Sequence, residues 1–188
     1  MYEHIIKHYP DFPKPGIDFI DILPFLHDKT AFRDAVCRLD TLCTAPNVAT
    51  VEARGFLFAA PLLVQSEHIQ TLVPVRKKGK LPYAEGDLHS VSIEKEYGRD
   101  EVYYRLSDLA ACRPEDGVVE LTLLDDLLAT GGTALGIAQA LNRETVNGCR
   151  VHVKEFLFLV ELTDLQGRAQ LEQLAPVRSL MSVGGTES

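Results

Sequence analysis

The chain has 188 residues, of which 46% are hydrophobic and 24% charged, a composition typical of globular proteins. This length predicts a single domain with a full hydrophobic core. The formal net charge of −8 argues against nucleic-acid and anionic-membrane binding, which need a basic face, so we expect neither partner. A site for an anion must therefore be built from a local group of residues.

Targeting signals and metal-binding motifs are not visible in the sequence. Residues 1–16 are polar rather than apolar as in a secretory signal, and no apolar run reaches the length of a membrane span. The histidines are scattered, and the cysteines form no C-x-x-C pair. We therefore expect a cytoplasmic protein without a structural metal site, whose thiols are free and mostly act as small buried hydrophobic groups.

Helical and extended patterns alternate along most of the chain after a turn-prone segment at 11–16. The pattern predicts helix 30–42, strand 47–52, helix 55–64 with Pro61 inside it, strand 71–75, a long polar connection 76–90, a hairpin of strands 91–96 and 101–106, strand 118–124, helix 133–146, strand 151–160, helix 165–174, strand 177–181 and a frayed tail 184–188. Such alternation predicts an α/β fold with a mostly parallel central sheet flanked by helices.

Polar segments follow three of the predicted strands. They are the segment from Glu52 to Gly55, the basic run from Arg76 to Lys80, and the acid pair Asp125 and Asp126. Ligands of open α/β sheets bind beyond the carboxyl ends of the strands, and right-handed crossovers bring these ends to one edge. Taken singly, the basic run also fits a solvated surface, and Arg54 an ordinary ion pair. Their joint position at strand ends favours a site.

The glycine-rich turn from Ala129 to Thr133 is the most informative segment of the chain. Gly131 and Gly132 let backbone N–H groups converge on an anion, and the following helix adds its N-terminal dipole. Hydroxyl groups of Thr130 and Thr133 add donors. The turn lacks the motifs of Walker and Rossmann loops, and its glycines alone equally fit a plain strand–helix turn. The preceding acid pair favours a ligand with hydroxyls and a phosphate, such as a ribose 5-phosphate.

Residues 118–133 resemble the phosphoribosyl-pyrophosphate (PRPP) motif of type I phosphoribosyltransferases. The run D-D-L-L-A-T-G-G-T is similar to the adenine phosphoribosyltransferase family in particular. Five more segments follow that family's order and spacing: Phe12 to Gly16, Glu52 to Phe56, Arg76 to Pro82, Glu96 to Gly98 and Val160 to Thr163. The resemblance implies one phosphoribosyltransferase domain over 1–188, a small hood from about 1–30 and part of the C-terminal segment, and a flexible catalytic loop at about 82–99.

The resemblance also implies the residues that bind PRPP and AMP. Asp125 and Asp126 would contact the ribose hydroxyls. The expected cofactor is Mg²⁺, which PRPP would carry and to which the two aspartates are candidate ligands. The 5-phosphate would be bound by the turn formed by Ala129, Thr130, Gly131, Gly132 and Thr133. Pyrophosphate would be bound by the basic residues Arg54, Arg76, Lys77 and Lys80. In this family the segment from Glu52 to Gly55 carries a non-proline cis peptide.

The same resemblance assigns the catalytic and base-binding residues. Glu96 would be the general acid/base that faces the purine N7, Tyr97 would help close the catalytic loop, and Arg76 would act on the leaving pyrophosphate. Leu162 would cover one face of adenine, and the backbone around Ile17, Asp18 and Ile20 would bind its edge. The implied reaction converts adenine and PRPP to AMP and pyrophosphate in purine salvage, in a homodimeric enzyme.

The sequence departs from the family at three positions. Family members usually have an apolar residue at position 18 and a basic one at position 20, where this chain has Asp18 and Ile20. Two alternatives therefore stay open: a phosphoribosyltransferase for another purine base, and a catalytically weak paralogue that binds PRPP or a nucleotide. Glu120 replaces an expected apolar residue in a strand, which suggests an edge-facing position or a dimer contact.

Overall fold

The computed structural model describes residues 2–95 and 98–184, without the side chains of 94, 95 and 98–100. Glu96, Tyr97 and the predicted tail beyond residue 184 lie outside the described residues. The described elements are β1 Lys7–Pro10, β2 Asp18–Asp21, α1 Lys29–Leu42, β3 Asn47–Val51, α2 Arg54–Gln65, β4 Thr71–Lys77, β5 Leu88–Lys95, β6 Gly98–Arg105, α3 Leu106–Ala110, β7 Val118–Leu128, α4 Gly132–Leu141, β8 Thr145–Val146, β9 Cys149–Leu162, α5 Gly167–Leu171 and β10 Val177–Val183.

The main sheet has the strand order β10-β9-β7-β3-β4-β6-β5, and β8 pairs with β9 at one end. Every pair from β10 through β4 is parallel. The β5–β6 hairpin adds two antiparallel strands beside β4. The predicted α/β architecture with a mostly parallel sheet is therefore confirmed, and it places the carboxyl ends of β3, β4 and β7 side by side.

The central strands are apolar because helices cover both of their faces. Every residue of β3 is buried, as expected for a parallel strand between two layers. Alternate residues of β3 enter different hydrophobic clusters, Val48 with α1 and α2, and Ala49 with α4. Because successive strand residues point to opposite faces, the two clusters are the two layers of the core.

Several elements differ from the sequence prediction. Strand β7 continues to Leu128, since its parallel pairing with β9 extends to that residue, so the acid pair lies within the strand rather than after it. Helix α4 ends at Leu141 instead of 146. The chain then forms the short hairpin β8–β9 through Asn147 and Gly148, both at positive φ. Asn-Gly is a strong hairpin signal, which the prediction of a continuous helix 133–146 does not take into account.

The first strands form a separate two-stranded antiparallel sheet that the sequence pattern did not predict. The side chains of β1 are exposed, which removes the apolar alternation by which a strand is usually detected. Among the described residues, no helix combines the length and the apolar character needed to cross a membrane. The cysteines are free, as expected, and Cys43 and Cys112 are buried; the expectation of burial is wrong for Cys37, which is exposed, and holds only in part for Cys149.

Candidate active site

Two adjoining pockets open at the carboxyl edge of β3, β4 and β7. The first, of about 220 Å³, is lined by Val51, Glu52, Ala53, Arg54, Lys77, Ile93, Val102, Asp125, Asp126 and Thr133. The second, of about 130 Å³, is lined by Asp125, Leu127, Leu128, Ala129, Thr130, Gly131, Gly132, Thr133, Ala134 and Phe158. Asp125 and Thr133 border both pockets, so a single ligand can extend from one into the other.

The second pocket is formed mainly by the backbone turn that connects β7 to α4. Gly131 precedes the first residue of α4 and has φ +83°, a left-handed conformation that glycine adopts without steric cost. It has no side chain to cap the helix, so the first N–H groups of α4 are available to a ligand. Helix α4 has ten residues, and its dipole favours an anion at this end.

The acid pair lies where the two pockets meet. Asp126 is only 6% exposed, and its backbone N–H donates to Asp125 Oδ1 at 2.8 Å. Burial raises the pKa of Asp125 well above its ordinary value, and the charge of Asp126 raises it further. Burial also raises the pKa of Asp126, against the opposing charge of Arg54. Asp126 is buried and Asp125 is partly buried at the pocket wall, so both carboxyl groups are charged only at an energetic cost.

Arg54 connects the acid pair to the N-terminal sheet. Its Nε lies 2.9 Å from Asp126 Oδ2, although this buried oxygen has no partner with hydrogen-bond geometry among the described residues. Arg54 Nη1 donates to the Ile20 carbonyl at 3.3 Å. The guanidinium also lies 5.4 Å from the centroid of the Phe19 ring, a cation–π distance. Arg54 is thus fixed on several sides with its charge beside the first pocket.

Glu52 holds the basic segment at the end of the neighbouring strand. Arg76 Nε donates to Glu52 Oε2 at 2.6 Å, and the Lys77 backbone N–H donates to Oε1 at 3.0 Å. Burial by itself would raise the pKa of Glu52, but these two partners hold the pKa below its ordinary value. Arg76 Nη1 also donates to the Lys80 carbonyl at 2.9 Å. The peptide bond between Glu52 and Ala53 is cis, as the family resemblance implies.

The residues predicted to bind the base line neither of the two pockets, although the Ile20 carbonyl contacts Arg54 of the first one. Asp18 is exposed, and its Oδ2 lies at the hydrogen-bond distance of 2.7 Å from His8 Nδ1 across β1 and β2. The side chain of Ile20 is buried in the core, so only its backbone can face a ligand. Ile17 is largely exposed, and Leu162, the last residue of β9, packs partly against the core.

Known proteins similar to this chain were found by sequence and by structure. An adenine phosphoribosyltransferase of Synechococcus sp. is 40% identical over 181 residues, which cover 95% of this chain and 96% of that protein. A crystal structure of the adenine phosphoribosyltransferase of Thermoanaerobacter pseudethanolicus is 36% identical, with a TM-score of 0.78 over 96% of this chain and 97% of that one. No model of a protein family matches the chain.

The chain belongs to the adenine phosphoribosyltransferase family. This membership confirms the predicted family, the type I phosphoribosyltransferase fold and the enzyme class, a pentosyltransferase. A further family structure, from Saccharomyces cerevisiae, is 30% identical with a TM-score of 0.76, covers 95% of each chain, and was determined in complex with D-2,5-dideoxy-2,5-imino-altritol 1,6-bisphosphate and adenine.

The structure brings together most of the residues that were predicted to bind PRPP, the phosphoribosyl donor of this adenine phosphoribosyltransferase family. The first pocket contains Arg54, Lys77, Asp125 and Asp126, and the second contains the whole turn from Ala129 to Thr133. Arg76 lies behind the first pocket, on Glu52. Lys80, Ile17, Asp18, Ile20 and Leu162 line neither pocket, and Glu96 and Tyr97 lie outside the described residues.

Glu52 lies within one of the family-like segments, but the sequence alone assigns it no role. A signal was present, because an acid at the end of β3 and a base at the end of β4 become neighbours once the two strands pair in parallel. The apolar lining residues Ile93 and Val102 were not predicted either. They belong to the β5–β6 hairpin, and no sequence pattern indicates which face of that hairpin meets the site.

Proposed function

We propose that this protein transfers the 5-phosphoribosyl group of PRPP to adenine, which gives AMP and pyrophosphate. The observation that carries this proposal is the pair of adjoining pockets that share Asp125 and Thr133. One is a backbone anion site, and the other combines carboxylates with basic side chains. A sugar that carries a phosphate at one end and pyrophosphate at the other has this order of groups.

The sugar phosphate would lie across the two pockets. Its 5-phosphate would accept hydrogen bonds from the N–H groups of the turn 129–133 and from the hydroxyls of Thr130 and Thr133. Its hydroxyls would donate to Asp125 and Asp126, whose carboxylates are acceptors. The buried Asp126 Oδ2 faces Arg54 at 2.9 Å but has no hydrogen bond among the described residues, which supports this role because it can still accept from a ligand hydroxyl.

Pyrophosphate would leave toward the basic side of the first pocket. Arg54 and Lys77 line that pocket, and Arg76 is held beside it by Glu52. Lys80 is tied to the group through its carbonyl, which accepts from Arg76. Cations that are positioned before the reaction stabilise the charge that develops on a leaving group without reorganisation. This arrangement would lower the barrier to cleavage of the bond at C1.

Magnesium fits this site as a partner of the donor. The described residues contain no group of three or more His, Cys, Asp or Glu side chains able to hold a metal by themselves. Mg²⁺ commonly binds through one or two carboxylates and substrate phosphates, and Asp125 and Asp126 offer carboxylates of this kind. When bound with PRPP, Mg²⁺ would neutralise charge on the departing pyrophosphate.

The acceptor base would be handled by a separate group of residues. Attack of N9 on C1 passes through a state with positive charge on the sugar, from which water must be excluded. Ile93 and Val102 give the first pocket an apolar side. Glu96 would carry the proton at N7 and Tyr97 would help close the loop at about 82–99. Leu162 and the backbone at Ile17, Asp18 and Ile20 would bind the base, under a hood formed by about 1–30 and part of the C-terminal segment.

The decisive assay measures nucleotide products from purified protein, PRPP and Mg²⁺ with each purine base offered separately. We expect AMP from adenine at a kcat/KM above that for hypoxanthine and guanine. Product from the 6-oxopurines without AMP would support a different base, to which Asp18 would contribute. Binding of PRPP without turnover of any base would support a paralogue that binds the donor and lacks catalysis.

Glu96→Ala tests the catalytic step. Because general acid–base catalysis contributes roughly 10²–10⁴-fold, we expect kcat to fall by that order while the KM for PRPP stays within a few-fold. Glu101→Ala is the matched control, since Glu101 is an exposed acid of the same hairpin, and it should leave kcat unchanged. An equal loss in kcat and in PRPP affinity would instead make Glu96 a binding residue.

The homodimer and the cytoplasmic location also belong to this proposal. Sedimentation velocity at micromolar concentration should give the mass of two chains. A purely monomeric but fully active protein would refute the dimer and leave the proposed reaction intact.

A further inference from the structure

The phosphate-binding turn is packed against the start of helix α5. A Cβ atom on Gly167 would overlap the carbonyl oxygen of Ala129 and would lie 2.9 Å from the carbonyl carbon of Thr130. From the other side, a Cβ on Gly131 would lie 3.0 Å from the carbonyl oxygen of Gly167 and 3.2 Å from Leu171 Cγ. Two glycines from distant parts of the chain therefore let their backbones meet directly.

The residue after this glycine anchors α5 to the sheet. Arg168 Nε donates to Glu161 Oε1 at 2.8 Å, and its Nη2 donates to Glu161 Oε2. Its Nη1 donates to the Val177 carbonyl at 2.6 Å. The Glu161 side chain is only 6% exposed, and Ser179 Oγ also donates to it, at 2.7 Å. Arg168 is therefore bonded to both β9 and β10. These bonds fix the position of the neighbouring Gly167 relative to the sheet.

We infer that Gly167 and Arg168 are positioning residues for the 5-phosphate of PRPP. This inference rests on the proposed function for the identity of the ligand. Neither residue lines the phosphate pocket, so both act through the turn 129–133. Gly167 supports the turn from behind at backbone contact distance, and Arg168 keeps that support in place. The donor's phosphate is thereby bound by N–H groups whose direction depends on a helix more than thirty residues further along the chain.

The inference predicts a specific defect in donor binding. A methyl group at position 167 meets backbone atoms, which cannot rotate away as a side chain can, so either the turn or α5 must move. Displacement of about 1 Å in a binding group can cost on the order of 10²-fold. We therefore expect Gly167→Ala to raise the KM for PRPP at least about tenfold, with a much smaller change in the KM for adenine.

Gly148→Ala is the matched control. Gly148 has φ +78°, so alanine there strains the backbone, and no atom lies within 4 Å of its Cβ position. It belongs to the β8–β9 hairpin, away from both pockets. This variant should lose thermal stability and keep the KM for PRPP of the unchanged protein. The comparison separates a general loss of stability from a local change in the turn.

Arg168→Lys keeps the positive charge and leaves Gly167 in place, but it cannot form the two-pronged contact to Glu161 together with the bond to Val177. We expect a rise of several-fold in the PRPP dissociation constant, measured by calorimetry on the full chain with PRPP and Mg²⁺ and without adenine. If Gly167→Ala fails to fold, this variant decides the question, because its own binding constant remains measurable.

The possible outcomes distinguish this inference from the proposed function. If the unchanged protein binds PRPP and makes AMP, and Gly167→Ala and Arg168→Lys both keep its PRPP constants, the inference is overturned and the function stands. If the unchanged protein neither binds PRPP nor makes AMP, the proposed function is refuted, and the inference falls with it because its ligand is then wrong. A rise in PRPP constants in both variants, without the same rise in Gly148→Ala, supports the inference.

Discussion

Two sets of carboxylates lie at the same edge of the sheet, and their pKa values shift in opposite directions. Glu52, after β3, has a lowered pKa because Arg76 and the Lys77 N–H offset its burial. Asp125 and Asp126, in β7, have raised pKa values because burial dominates over Arg54. Glu52 accepts from protein donors on both of its oxygens, whereas in the described part of the chain Asp126 Oδ2 has the ion-pair contact with Arg54 but no hydrogen bond.

This contrast distinguishes Glu52, which positions other residues of the site, from Asp125 and Asp126, which are available to bind a ligand. Glu52 uses both of its oxygens on protein donors, so its energetic effect is to stabilise the fold and to aim Arg76. Asp126 is buried, Asp125 is partly buried, and one buried oxygen of Asp126 lacks a hydrogen bond among the described residues. Buried carboxylates whose hydrogen bonding is incomplete are costly, and a substrate rich in hydroxyl donors would offset that cost. Such buried carboxylates with incomplete hydrogen bonding are expected at functional sites, where binding outweighs the stability of the fold.

Asp125→Asn tests the contrast most strongly. We expect the KM for PRPP to rise about 10- to 100-fold, because a hydrogen bond to a charged group is worth about 1.5–3 kcal/mol. The same substitution should stabilise the fold at neutral pH while it weakens donor binding. An acid with a raised folded pKa loses stabilisation as the pH rises from its ordinary value of 3.8 through the folded value, and asparagine has no such loss.

The variant should therefore gain stability relative to the unchanged protein as the pH rises from acidic to neutral. Steady-state kinetics and urea denaturation at several pH values measure the two effects. A variant that is less stable at neutral pH and retains its KM for PRPP would show that Asp125 is a structural residue.

Glu52→Gln should have the opposite pH dependence. A carboxyl with a lowered folded pKa contributes stability above its ordinary pKa of 4.5, and that contribution is lost as the pH falls through the folded value. We expect the variant to lose about 1–3 kcal/mol of unfolding free energy at neutral pH. The deficit should disappear in acid. Urea denaturation across the same pH range measures this difference, and a deficit independent of pH would contradict the assigned ion pair.

The strand–turn–helix unit at the centre of the site could be predicted from sequence because its signals are local. An apolar run, two acids, two glycines and an amphipathic helix follow one another within a short segment, and the family resemblance gave this order a ligand. The placement of Arg54 and Lys77 at one edge of the sheet was also predictable, because parallel strands bring their carboxyl ends together.

Contacts between distant segments could not be read in this way. No local pattern connects Gly167 to Ala129, and Glu161 and Arg168 gave no sign of their pairing. The exposed strand β1 lacks the alternation that indicates a strand. Ile20 shows the same limit, because its burial within the core is decided by the N-terminal sheet and not by its neighbours in sequence.

Glu120→Gln should have the smallest effect, and it sharpens the comparison because Glu120 lies on the same strand as the aspartates. Its Oε2 accepts from Lys154 Nζ of β9 at 2.6 Å, and both side chains are partly exposed. This pairing gives the acid a partner on the neighbouring strand of the sheet. Exposed ion pairs contribute about 0–1 kcal/mol. We therefore expect a loss of stability within that range and an unchanged KM for PRPP. A rise in that KM comparable with the effect of Asp125→Asn would mean that charge anywhere on β7 governs donor binding, and the distinction between enclosed and satisfied carboxylates would then fail.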